Sequence, residues 1–258
     1  LRAIAPERIL TEVRKLLTAE RASAVLREFP EGFGVFWSEL LPMLGYDQRN
    51  FHHCYDLWEH TLHAMANIAP DPTLRLAMLF HDLGKPATFT LDEQGEGHCN
   101  GHSAVSAAMA REILSRLRCD RETSDAVVTL VAWHDRVRQF SRRSTLRLLE
   151  QLGEERLRQL LLVAEADIKA QAPETVPGKM EQLMVGYAMV DALRAANACF
   201  QRRDLAIGGR DLIALGMKPG VPMGELLEQL FQDVLDGTLE NRRETLLVEA
   251  EQRIQKNS

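Results

Sequence analysis

Six residues of this sequence have the types and placement to do chemistry together: His60, the dipeptide His81-Asp82, His102, His134 and Asp167. Three of these positions close apolar stretches. Residues 74–80 are apolar except for Arg75 and lead into His81-Asp82; residues 126–133 are apolar except for Thr129 and lead into His134; residues 160–164 are apolar and lead through Glu165 and Ala166 to Asp167. A helix that is apolar all round is a buried helix. A carboxylate carried into the interior is costly unless a cation or hydrogen bonds compensate it. Imidazoles and carboxylates converging from several helices make a divalent metal ion the natural compensation. Neutral imidazole with carboxylate suits manganese, iron, cobalt, nickel or zinc better than calcium, as one ion or two.

The neighbours refine the set. His60 sits at the edge of the apolar face formed by Leu57, Ala64 and Ile68, whereas His63 is rotated toward the polar side and reads as a surface or supporting residue. His102 opens a helix directly after Asn100-Gly101, so its ring can reach from a helix start into a cleft. Gly84 can end the helix that carries the dyad, and Lys85 then stands where it can neutralise a phosphate. Taken alone, a histidine on a helix is more often a satisfied core or surface residue. His52, His53, His63 and His98 are read that way, with His53 and His98 the two that could still line the site. All eight histidines fall between His52 and His134, which makes the first half the place to look for chemistry.

The positioning elements are helical nearly throughout. Apolar stripes at helical spacing recur near residues 6–19, 54–68, 73–83, 103–117, 122–134, 143–151, 154–169, 179–200, 224–236 and 241–255. Residues 88–91, before the turn-like run Asp92-Glu93-Gln94-Gly95, are the one place for a small hairpin. The expected fold is mostly α, a helical bundle carrying the histidines, flanked by helical segments on both sides. Proline and glycine before residue 50, and the run from Ala172 to Gly178, suggest three parts: 1–50, 51–172 and 173–258. The last should hold no catalytic ligands.

With 258 residues, 45% apolar and 26% charged, the chain has the composition of a folded globular protein. The 31 basic against 37 acidic side chains, a net charge of −6, exclude a surface that is basic overall. The apolar runs are too short to span a bilayer, so no membrane partner is expected. Four scattered cysteines without a paired motif suggest reduced thiols and a cytoplasmic location. The sequence does not fix an oligomeric state.

His60, His81-Asp82-Leu83-Gly84-Lys85, His102, His134 and Ala166-Asp167 together resemble the HD superfamily of metal-dependent phosphohydrolases. The resemblance implies an all-α HD domain in which His60, His81, Asp82 and Asp167 bind one divalent ion, and His102 and His134 complete a second metal or substrate position. A narrower resemblance runs along nearly the whole chain. Pro6-Glu7-Arg8-Ile9, residues 55–62, Gly95-Glu96-Gly97-His98 with Gly101-His102, and residues 207–220 with Met223-Gly224 and Asn241 are similar to the C-terminal part of the bacterial tRNA nucleotidyltransferase (CCA-adding) and poly(A) polymerase family. That family's catalytic head carries a paired Asp-x-Asp. This sequence has none, so no nucleotide addition is expected from it alone, and a head could belong to a longer chain.

The implied reaction is hydrolysis of phosphomonoesters or phosphodiesters, with nucleotides, 2′,3′-cyclic phosphates or RNA ends as substrates. A bound divalent ion lowers the pKa of its water, Asp82 is the candidate bridging carboxylate, and Lys85 can stabilise developing phosphate charge. Arg136, Arg138, Arg142, Arg143 and Arg147 follow His134-Asp135 with no acid between them, and are candidates for phosphate or tRNA contact. Two rival readings stand beside this one: a tRNA-binding body and tail with a structural metal site, and a metal-stabilised interaction module without catalysis.

Overall fold

The computed structural model describes residues 4–49, 52, 54–136 and 139–256. Thirteen α-helices are present among them, and the chain divides into two compact units. One holds residues 1–138 and 158–184, the other residues 139–157 and 185–258. Two helices, α9 (Arg142–Lys169) and α10 (Val176–Ala195), run through the divisions. The mostly α expectation holds. Two-residue strands, β1 (Thr90–Leu91) and β2 (Gly97–His98), form an antiparallel hairpin with Thr90 opposite His98. The Asp92 side chain folds its turn by accepting from the backbone N–H groups of Gln94 at 3.0 Å and Glu96 at 2.8 Å.

In the first unit, α1 (Pro6–Thr18), α2 (Ala22–Glu28) and α3 (Pro30–Gly34) precede the bundle proper. The bundle consists of α4 (Leu57–Ala66), α5 (Pro72–Phe80), the short α6 (Lys85–Thr88), α7 (His102–Arg116), α8 (Arg121–Trp133) and the later part of α9. Aspartates start three of these helices. Asp56 accepts from Glu59 N at 2.8 Å, Asp71 from Leu74 N at 2.9 Å, and Asp120 from Thr123 N at 2.8 Å. Each side-chain oxygen satisfies a backbone N–H that the helix leaves unpaired.

Helix α5 lies at the centre, packed on α1, α4, α7 and α8, and every residue from Leu74 to Phe80 is buried. The polar exception, Arg75, is buried too. Its guanidinium donates to the carbonyls of Leu17 at 3.0 Å and Ile68 at 3.3 Å, tying α1 and the segment after α4 to α5. An α5 surrounded in this way delivers whatever follows Phe80 into the interior. The stripes at 143–151 and 154–169 are one element interrupted at Gly153, whose φ of +75° leaves the helical region and is one a glycine adopts at little cost.

The second unit contains the early part of α9, the later part of α10, α11 (Gly209–Ala214), α12 (Val221–Asp236) and α13 (Arg243–Lys256). Leu212, Leu230 and Leu246 are fully buried where these last three helices pack. Asn241 closes the unit, accepting from Ala206 N and donating to Asp204 O, both at 2.9 Å. Among the described residues, no cluster of three metal-ligating side chains lies in this unit. Nor is any helix long and apolar enough to cross a membrane.

Candidate metal centre

The six residues singled out from the sequence meet in the first unit, as two groups of three: His60, His81 and Asp167, then Asp82, His102 and His134. In the first group, Asp167 Oδ1 lies 2.9 Å from His60 Nε2 and 3.6 Å from His81 Nε2. In the second, His102 Nε2 lies 3.1 Å from His134 Nε2 and 3.2 Å from Asp82 Oδ1. Asp82 joins the two. Its Oδ2 faces His81 Nε2 at 3.1 Å and His60 Nε2 at 3.7 Å, while Oδ1 faces His102 and, at 3.6 Å, His134.

One local device aims three of the rings. His81 follows α5, His134 follows α8 and His102 starts α7. Each turns its Nδ1 back to the carbonyl three residues earlier: Met78 O at 2.6 Å, Val131 O at 2.7 Å and Cys99 O at 2.8 Å. His60 finds Ala170 O at 3.2 Å, beyond the end of α9. A carbonyl only accepts, so Nδ1 carries the proton in all four rings. The neutral tautomer then presents the Nε2 lone pair to the cluster. His81 Nε2 is buried and makes no well-aligned hydrogen bond. Four imidazole lone pairs and two carboxylates facing one another suit a divalent ion of the transition series.

The supporting contacts fix both carboxylates. Gly84 N donates to Ser106 Oγ at 2.8 Å, clamping the turn after the dyad onto α7. Lys85 Nζ pairs with Asp82 Oδ2 at 2.7 Å and donates to Gln48 Oε1 at 2.8 Å. Gln171 Nε2 donates to Asp167 Oδ2 at 2.9 Å, and Lys179 Nζ donates to Gln171 Oε1. Gln48, Gln171 and Lys179 were not among the candidates. Gln171 alone had a signal, standing one helical turn after Asp167.

A cavity of about 520 Å³ opens over the cluster, lined by Asp82, Lys85, His102, His134, Asp167 and Lys179 among others. That is within the usual size range for small-molecule sites. His52, read from the sequence as an ordinary histidine, and His98, one of the two that could still line the site, also line it. His98 is held by Asp92 at 2.7 Å. His53 lies outside the described residues. His63 is partly exposed and stacks on Tyr55 with ring centres 4.2 Å apart.

Burial opposes charge on all three central groups, but their mutual interactions outweigh it. His81 is pushed up to about 10 because the carboxylates of Asp82 and Asp167 overcome its desolvation. The Asp82 carboxyl is held well below the usual range, against its burial, by His81 and Lys85 and by the close approach of the His102 and His134 rings. Asp167 is likewise held low, against its burial, by His60 and His81. The metal-free cluster therefore carries a proton on His81 at neutral pH, and an incoming ion must displace it. Metal affinity should rise about tenfold per pH unit from pH 6.5 toward 10. In metal-free protein, the His81 contribution to stability is full below pH 6.5 and is lost as pH rises through about 10. Calorimetric titration with manganese at pH 6.5, 7.5 and 8.5 checks the first statement; a pH-independent affinity contradicts it.

The arginine stretch is split. Arg136 belongs to the first unit, its Cζ 5.0 Å from the centre of the Trp133 ring. Arg138 lies outside the described residues. Arg142, Arg143 and Arg147 belong to the second unit, where Arg142 is exposed. Arg143 and Arg147 share Asp236 Oδ1 at 3.1 and 2.7 Å. No acid interrupts the stretch in sequence, yet α12 supplies one in space.

Comparison with known proteins adds a family. The family model described as tRNA nucleotidyltransferase domain 2 matches residues 102–250. The CC-adding tRNA nucleotidyltransferase of Thermus thermophilus is 32% identical over 255 residues, covering 93% of this chain and 55% of that protein. The A-adding tRNA nucleotidyltransferase of Deinococcus radiodurans is 29% identical over 88% of this chain and 54% of its own length. The multifunctional CCA protein of Thioalkalivibrio sulfidiphilus is 31% identical over 87% of this chain and 54% of its own length. The chain thus spans about half the length of the curated relatives it matches.

Proposed function

Because this chain belongs to the tRNA nucleotidyltransferase family, we propose that it is a divalent-metal-dependent phosphohydrolase of HD type working within a tRNA-handling protein, on phosphate esters of nucleotides or RNA ends. The observation that carries this reading is Asp82, one oxygen turned to each group of ligands. A carboxylate so placed fits one ion or a pair of ions. His60, His81 and Asp167 would hold the first, and His102 and His134 the second, with Asp82 between them. A bound ion supplies Lewis acidity and a water of lowered pKa. The side chains do the rest. The four carbonyl-anchored rings fix the direction of every donor, Gln171 steadies Asp167, and Lys85 holds Asp82 in its ionised form. The tRNA-directed names of the relatives support a cytoplasmic RNA substrate or partner.

The test is metal content by elemental analysis, followed by hydrolysis assays with manganese, nickel or cobalt. The expected result is release of phosphate from a nucleotide or opening of a 2′,3′-cyclic phosphate, with no extension of a tRNA 3′ end. Metal-loaded protein inactive on nucleotides, cyclic phosphates and generic phosphoesters would turn the reading to its alternative, a non-catalytic tRNA-binding body and tail with a structural metal site. Family membership supports that alternative. Under it, tRNA binding should weaken steeply with salt. The double change Arg142→Glu, Arg143→Glu should weaken it further, and binding that ignores both changes would remove the arginines from the account.

A further inference from the structure

We propose that Lys85 makes the two ion positions unequal: the centre takes one divalent ion from solution, and a second enters only together with a phosphate. This rests on the phosphohydrolase reading above and concerns how that same site is assembled. The two ligand groups differ in charge. The first, His60, His81 and Asp167, has a carboxylate of its own and also faces Asp82 Oδ2. The second has, among the described residues, two imidazoles and one carboxylate, Asp82 through its Oδ1. Its only negative charge is therefore shared with the first group.

Lys85 takes a further part of that charge. Its Nζ lies 2.7 Å from Asp82 Oδ2. The backbone keeps it there: Lys85 N donates to Asp82 O at 3.0 Å, which brings the side chain back over the dyad, and Gly84 N is fixed to Ser106 Oγ at 2.8 Å. Gln48 Oε1 accepts from the ammonium at 2.8 Å, and the residue is 9% exposed. An ammonium so buried and so held belongs to the fixed charge of the centre. With the imidazoles as neutral donors, two carboxylates and one ammonium give the ligand set one net negative charge. A first divalent ion turns this into one positive charge, and a second would raise it to three. Like charges gathered in a buried site repel strongly, because little water screens them. The first ion therefore belongs to the group with its own carboxylate. A second, at Asp82, His102 and His134, needs an anion from outside, and a phosphate dianion returns the total to one positive charge. Glu96 and Asp135 line the cavity but stand outside both ligand groups. Three protein donors leave such an ion open to phosphate oxygens. All three residues of the second group line the cavity of about 520 Å³, against Asp167 alone from the first, so an entering phosphate meets the second position.

The test titrates manganese calorimetrically into the metal-stripped chain, with and without inorganic phosphate, each against a protein-free blank. Wild type should bind one equivalent tightly without phosphate and two with it, the affinity of the second rising about a hundredfold. Lys85→Gln keeps a donor for Asp82 and removes the charge; in phosphate-free buffer it should bind the second ion about tenfold more tightly than wild type. Lys85→Arg should match wild type. Two equally tight ions in phosphate-free wild type would overturn the proposal, as would a second ion indifferent to phosphate, or one bound by Lys85→Gln as by wild type. The wild-type arms decide even if Lys85→Gln fails to fold. A protein that takes its second ion only with phosphate, yet hydrolyses no phosphoester, would keep this proposal and lose the hydrolase reading. A chain that binds no manganese would end both.

Discussion

Asp82→Ala should abolish metal uptake and hydrolysis together. Asp82 is the one side chain shared by both ligand groups, with Oδ2 3.1 Å from His81 Nε2 and Oδ1 3.2 Å from His102 Nε2. Its removal leaves each group one carboxylate short and takes away the charge that, with Asp167, keeps His81 protonated in the metal-free state. Lys85 loses the partner at 2.7 Å that justifies its burial. Breaking a buried ion pair from one side costs about 3–5 kcal/mol, so the variant should melt earlier yet still show the helical spectrum of the wild type when cold. Asp82→Asn keeps the volume and an acceptor for Lys85, and separates the two effects: stability should largely return, metal and activity should not. His63→Ala serves as the control. That ring is partly exposed and outside both groups, so the change should shift stability by less than about 0.5 kcal/mol and leave metal content alone. Hydrolysis that survives Asp82→Ala would place the chemistry elsewhere.

The centre was legible because burial and ligand chemistry contradict each other in the sequence. A helix such as α5, apolar but for Arg75, has to be buried, and His81-Asp82 at its end has to be buried with it. The same reasoning applies to His134 after α8 and Asp167 late in α9. Position on the helical wheel separated His60 from His63. What stayed hidden depends on chain crossings that periodicity does not encode. Lys179 reaches the cavity because the first turn of α10 groups with the first unit, although it follows the proline-rich run. Arg143 and Arg147 are paired by Asp236, some ninety positions later. His98 lines the cavity because a two-residue hairpin carries it there, and so short a strand leaves almost no alternation to detect. Each unit is assembled from two separate stretches of chain, which a linear division cannot express.

Gly84→Ala should damage the second ligand group more than the first. The glycine's own φ is −81°, which any residue adopts, so the need is for space and not for an unusual backbone. A Cβ there would lie 2.6 Å from His102 O, 2.8 Å from Ser106 N and 2.9 Å from the Val105 Cβ. Two of these are backbone atoms and the third is a β-carbon, so none can swing aside. Helix α7 must retreat, and it carries His102, whose Nε2 lies 3.2 Å from Asp82 Oδ1. The Gly84 N to Ser106 Oγ bond lengthens with it. Overpacking of this kind costs about 1–3 kcal/mol. His60, His81 and Asp167 come from α4, the end of α5 and α9, so the first group should keep its geometry while affinity at the Asp82–His102–His134 group falls. Gly153→Ala is the contrast: φ is +75° there and nothing lies within 4 Å of the new Cβ. It should cost about 1 kcal/mol of backbone strain with no effect on metal. Manganese titration and thermal melts of the two variants decide the matter. A Gly84→Ala protein that melts and titrates like wild type would mean that the turn after the dyad does not set the distance between Asp82 and α7.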